Sequence, residues 1–343
     1  MITAGLRRAI LAAAGLRAAS AEAGDPLLTP GPAPGSYASS LPFRLGPDPR
    51  EAAAVLAARL GDEAWIAAAE VTGPGFLTVT VTHATLARLA VRIALAGPAC
   101  AASDALAGRT VPVPAELPLA LSISGPISGP ISGPISGVPG WPQARAALAG
   151  QLTARLAATA GATLVIDPER SSVPAQAPPS RGPVAEAIDY AGPDAVRFAL
   201  ARMPPGGPAP EPAVIARHVL ANPAYAVRYA HAAAAAVLRW AAVLGTRPAG
   251  FTPRLLAEPG ELALLDALSW LPERVAMAAR RGRPDEFAGY LAELAARTID
   301  TMSTTSFRKV PDISSERLWL ADAARTGLAA GLGLLGISAP SRL

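Results

Sequence analysis

The sequence predicts a mainly α-helical protein: an α+β region at the N-terminus, then an all-helical bundle. Three observations predict it. Residues 184–343 carry apolar residues at spacings of three and four, with proline or glycine between most segments. The composition is 51% hydrophobic but only 5% aromatic, so much of the core is alanine, the best helix former. Residues 73–82, GPGFLTVTVT, alternate like a strand after a glycine turn, so the first segment is not helix alone.

The elements follow in chain order. Leu6, Ile10 and Ala14 fall at helical spacing. They predict an amphipathic first helix rather than the secretory leader faintly suggested by Arg7, Arg8 and the run AILAAAGL. Residues 48–60 read as a helix, with Asp48 as cap, Pro49 first in the helix and Glu51 three residues after the cap. In the strand, Phe76, Thr78 and Thr80 share one face and Leu77, Val79 and Val81 the other. Residues 84–95 return to helix. Residues 123–138 read ISGP three times and then ISGV. A four-residue period with proline blocks helix and sheet alike, which predicts an extended linker. A helix from Gln143 to Ala160, closed by Gly161, precedes a strand in ATLVID, and 171–183 is linker again. Helices are then predicted at 184–191, 193–202, 212–220, 223–244, 260–280, 284–303 and 315–334. This gives three segments, 1–112, 113–185 and 186–343.

Charge and cysteine exclude several classes. The net charge of +4 is spread as +1, +1 and +2 over the three segments, so the strong footprint of a nucleic-acid binder is not apparent. Basic residues are 29 arginines and one lysine, Lys309, and Arg280, Arg281 and Arg283 form a dense cluster that reads as a solvated loop. The single cysteine, Cys100, excludes an intrachain disulfide framework. It reads as a buried small residue in a cytoplasmic protein. No stretch reads as membrane-spanning, since the longest uncharged run, 117–144, holds six prolines. His83, His218 and His231 are scattered and give no metal-ligand spacing, and there is no GxxxxGK[ST], CxxC or GxSxG.

Three ordered blocks carry a family likeness: GSYASSLPFRL (35–45) with the helix and strand after it, GPDAVRFAL (192–200) followed by NPAYAVRYAHA (222–232), and LADAARTGLAAGLGLLGISAPSRL (320–343). With them the chain resembles arginyl-tRNA synthetase, over about the first 110 and the last 160 residues, with most of the catalytic domain missing. The resemblance implies an N-terminal additional domain, a degenerate remnant of the catalytic domain behind the ISGP linker, and a DALR-type anticodon-binding bundle. It implies tRNA, arginine-specific, as partner, with Tyr37 among the tRNA-binding residues and Phe76 and Thr78 toward the elbow. Tyr225, Tyr229, Trp319, Arg325 and Arg342 lie in the anticodon-binding part, where aromatic rings stack on splayed bases and arginines meet phosphates. Packing inside the protein is the alternative for each ring, and surface solvation for the arginines. Asn222 reads as a helix cap and His231 as a bonded structural histidine.

The family's chemistry needs a His-x-Gly-His turn and a lysine-bearing loop to stabilise phosphate charge. The best-aligned position here reads VPGW, 138–141, and Lys309 lies in the helical part. The expectation is therefore a non-catalytic tRNA-binding protein with no cofactor, ATP being implied only by the synthetase reading. The alternatives are a protein-interaction module that pairs with a full-length synthetase or another translation factor, and a true arginine-tRNA ligase with activity restored by a partner. No membrane partner is expected.

Overall fold

The computed structural model describes residues 1–16, 28–114, 140–167, 182–309 and 313–343. The ISGP repeat and 171–181 of the second expected linker lie outside the described residues.

The chain opens with α1 (Ile2–Ala13), then strands β1 (Leu28–Pro30) and β2 (Ser36–Ser39) and helices α2 (Pro42–Leu45) and α3 (Pro49–Leu60). The Asp48 side chain accepts from the N–H groups of Arg50 and Glu51, which fixes the start of α3 as expected. Strands β3 (Ile66–Thr72) and β4 (Phe76–Val81) follow, and the four strands form an antiparallel sheet in the order β1-β2-β4-β3. Leu77, Val79 and Val81 point inward and are buried.

Next come α4 (His83–Ala87), α5 (Leu89–Ala96) and a 3-10 turn (Gly97–Ala101). The single helix predicted over 84–95 is thus jointed at Arg88. Contrary to expectation, His83–Ala101 is long and apolar enough to cross a membrane on length and composition. Here α5 and the turn pack on the last helix of the chain, and Leu89, Ile93 and Cys100 are fully buried.

Strand β5 (Thr110–Pro114) leads through residues outside the description to α6 (Trp141–Thr159) and β6 (Thr163–Asp167), which pairs parallel with β5. This β-α-β order is the smallest unit of a parallel sheet. The rest is helical: α7 (Pro183–Ala191), α8 (Pro193–Arg202), α9 (Pro212–Ile215), α10 (Pro223–Val243), α11 (Pro259–Ser269), α12 (Leu271–Arg281), α13 (Pro284–Met302), α14 (Thr305–Arg308) and α15 (Ser315–Leu335).

Two predicted helices are corrected. The one expected over 260–280 is two helices, because Pro272 lacks an N–H and its ring clashes with the preceding turn. The one expected over 212–220 stops at Ile215, because the Asn222 side-chain amide takes the carbonyls of Ile215 and Arg217 at 2.9 and 2.7 Å.

One apolar core runs from Ile2 to Ile337 and includes both the sheet and the bundle. Polar contacts cross the same seam. Arg7 pairs with Glu273, both side chains below a tenth exposed. The Thr3 hydroxyl donates to the Ser269 carbonyl at 3.2 Å, and the Gly35 N–H donates to Asp266 Oδ1 at 2.8 Å. His83 Nε2 lies 2.8 Å from the Leu256 carbonyl oxygen. The two regions are therefore joined directly and do not hang on a linker.

Candidate nucleic-acid interface

The start of α10 is built by one residue. Asn222 is 7% exposed. Its side-chain oxygen caps the Ala224 N–H at 3.2 Å while its amide holds the turn at 215–217. That turn brings His218 onto Tyr225. The His218 and Tyr225 rings are stacked at 5.3 Å and 14°, and Tyr225 stacks on Tyr229 at 5.8 Å and 28°. Tyr225 and Tyr229, four apart, share one helix face. His218 is exposed, Tyr225 half-buried and Tyr229 38% exposed. The three rings make a ladder open to solvent at both His218 and Tyr229.

His218 is a ladder member that the expected site residues omit. A second signal is also in the sequence. Between Glu211 and Glu258 there is no acidic residue but there are five arginines, at 217, 228, 239, 247 and 254. Averaging charge over a whole segment conceals this stretch. Arg228 lies 3.6 Å from Asp194, and Arg217, Arg247 and Arg254 are exposed.

The C-terminal tail is laid along α10. His231 is 4% exposed and its Nδ1 meets the Pro340 carbonyl at 2.8 Å. Burial lowers its pKa, so the ring is neutral and Nδ1–H is the donor. Arg239 donates to the Ser341 carbonyl. These bonds deliver Arg342 and Leu343 to the surface, where both are exposed. His231 is thus structural, as expected, and Arg342 is free to meet a ligand.

Two other expected residues lie apart from the ladder. Trp319 is half-buried and donates to the Gly250 carbonyl at 3.2 Å, in the loop after α10. The ladder sits at the opposite end of that helix, roughly 25–30 Å away by helix rise. Arg325 is held by Asp322, with both of its bonds to Oδ1 below 3 Å, so its charge is already matched within α15.

At the N-terminal region the structure corrects two expectations. Tyr37 is wholly buried, with its hydroxyl donating to Ser269 Oγ at 2.7 Å and its ring against Trp270 at 5.2 Å. Burial raises its pKa far beyond the usual phenol range. Tyr37 thus joins sheet to bundle, with no exposed ring face to offer a base. Thr78 is 9% exposed and its hydroxyl is bonded to that of Thr72 at 2.7 Å.

Phe76 is different. It is 36% exposed and packs edge-on against Phe43, itself 40% exposed, at 4.8 Å and 60°. Gly75, at φ +135°, presses the preceding turn on α3, and a Cβ there would lie 2.6 Å from the Pro49 Cβ. Arg50 Nη2 closes the same turn on the Gly73 carbonyl at 3.0 Å. Phe43 and Phe76 form an aromatic edge with Arg44 exposed beside Phe43.

The geometry offers ring faces for unpaired bases and guanidiniums for phosphates. Among the described residues no group of three or more His, Cys, Asp or Glu could hold a metal ion.

Comparison with known proteins places the chain beside a family of tRNA ligases. Residues 227–343 match the family model for the DALR anticodon binding domain. The chain is 40% identical over 162 residues to an arginine–tRNA ligase of Clavibacter sepedonicus, a match covering 46% of this chain and 29% of the relative. An arginine–tRNA ligase of Renibacterium salmoninarum is 38% identical over 162 residues, 46% of this chain and 30% of the relative. The chain thus spans under a third of the length of these relatives. Among solved structures it is similar to Thermus thermophilus arginyl-tRNA synthetase, with a TM-score of 0.66 and 15% identity, covering 100% of both chains. At that identity the likeness shows the fold alone.

Proposed function

Since residues 227–343 match the DALR anticodon binding domain and the chain is related to arginine–tRNA ligases, we propose that it is a tRNA-binding protein without aminoacylating activity. It holds the anticodon arm at the start of α10 and the elbow at the Phe43–Phe76 edge. The observation that carries this reading is the His218–Tyr225–Tyr229 ladder, with Arg217 exposed next to His218 and no acidic residue between Glu211 and Glu258. Rings supply stacking that every base accepts, and the arginines supply charge for the backbone. Because the two regions share one core, both grips are carried on one body.

The non-catalytic part of the reading rests on the sequence. Adenylate chemistry needs charged groups around the phosphates. The chain has no His-x-Gly-His, and its sole lysine, Lys309, lies beside α14. The parallel sheet has two strands among the described residues. The preferred partner is tRNA for arginine.

An electrophoretic shift with total tRNA, followed by sequencing of the bound species, tests the proposal. The expected result is a shift at low salt, enrichment of arginine tRNAs, and no ATP–pyrophosphate exchange. No shift at about 50 mM salt, where counterion release most favours binding, contradicts it.

One observation favours a second reading, a docking module for a full-length synthetase or another translation factor. Trp240, Val243 and Leu244, at the far end of α10, are 61%, 76% and 53% exposed. A pull-down that survives ribonuclease distinguishes this reading from the first.

A further inference from the structure

The small parallel sheet has two edges of opposite character. The Thr163 N–H donates to the Arg109 carbonyl at 2.9 Å, and Thr110 lies opposite Thr163. A parallel ladder uses alternate residues of each strand. Thr163, Val165 and Asp167 therefore turn their backbone groups toward β5, and Leu164 and Ile166 turn theirs outward. By the same alternation Val111 and Val113 face β6, while positions 112 and 114 face the far side of β5. Both are proline and have no N–H, so that edge cannot accept another strand in register.

The outer edge of β6 has no such protection. It contains no proline and no lysine. Val165 and Ile166 are 48% and 61% exposed. Among the described residues no other strand pairs with it.

We propose that the β6 edge pairs antiparallel with the β6 edge of a second copy of this chain, forming a four-stranded sheet about a two-fold axis. The strand is complementary to itself. Centred on Val165, Leu164 lies opposite Ile166 of the second copy, and the outward N–H and C=O groups of those two residues meet in mutual hydrogen bonds. Apolar side chains then face apolar ones, Thr163 faces Asp167, and no like charges oppose each other. The outer edges of the joined sheet are both β5, so the prolines close it on each side. An isologous pairing of this kind is the usual way for two identical chains to meet. Two short strands bury little surface, so the dimer is weak and depends on concentration.

Sedimentation equilibrium of the ribonuclease-treated full chain, from low to high micromolar concentration, tests this. The average mass is expected to rise toward twice the monomer. Ile166→Pro removes an outward N–H that the β5 ladder does not use, at an exposed side chain. It is expected to abolish the rise with an unchanged circular dichroism spectrum, whereas Ile166→Val retains the rise. Val165→Cys provides an independent readout. The paired positions lie about 4.5 Å apart between Cα atoms in such a ladder, within disulfide reach, and the native Cys100 is buried. Oxidation is expected to give a covalent dimer. A wild-type chain that stays monomeric throughout, or a Val165→Cys chain that does not cross-link, overturns the proposal.

Discussion

Alanine at both Tyr225 and Tyr229 is expected to weaken tRNA binding by roughly 2–6 kcal/mol, on the order of 30- to 20,000-fold, at about 1–3 kcal/mol for each stacked base. The two rings are the inner and outer steps of the ladder, and Tyr229 is the more exposed. Fluorescence anisotropy with labelled tRNA measures the effect. The slope of affinity against salt should stay as in the wild type, because stacking releases no counterions. Phenylalanine at both positions should keep most of the affinity. His218→Ala should cost less, since it removes one end of the stack. Equal affinity of the double alanine variant and the wild type would remove the ladder from the binding surface.

Arg197→Ala is expected to cost about 3 kcal/mol or more of stability, as the loss of buried, charge-assisted hydrogen bonds does. A fall of the melting midpoint by roughly 5–10 °C is the observable. Arg197 is 6% exposed, and its Nε donates to the Leu335 carbonyl at 2.8 Å. Arg155 donates to the Gly333 carbonyl at 2.8 Å. Two buried guanidiniums thus cap the end of α15, where the carbonyls carry the negative end of the helix dipole. Burial, with the Arg155 charge adding, pushes the Arg197 pKa down to about 10, so it stays charged at neutral pH. In the same helix turn Asp194 accepts bonds from Ser338. The Asp-Ala-Val-Arg run, 194–197, therefore staples the end of α15 and the tail beyond it. Calorimetry of Arg197→Ala beside Arg197→Lys measures this. Lysine should recover part of the loss, because it restores the charge but not the planar fork. An unchanged midpoint for the alanine variant contradicts the capping role.

Much of this was legible in the residues. The Asp48 and Asn222 caps, the β4 alternation and most helices of the bundle follow from local spacing. Strand β3 did not show itself because Ala67, Ala68 and Ala69 carry no strand preference, and pairing with β4 decides their state. The break before α12 was readable in Pro272. The early end of α9 was not, because it depends on where a side-chain amide reaches. For the candidate site, spacing placed Tyr225 and Tyr229 on one face but could not bring His218 to them. Motif order placed Tyr37 near a ligand, whereas the direct docking of sheet on bundle buries it against Ser269 and Trp270. That docking is long-range packing, which no local pattern encodes.

Nuclease footprinting of a bound tRNA tests the two-grip account most directly. Protection of the anticodon loop together with the elbow, with the anticodon part lost in the Tyr225→Ala/Tyr229→Ala variant, is the predicted result. Protection of the acceptor end alone, or none anywhere while the RNA remains bound, would contradict it.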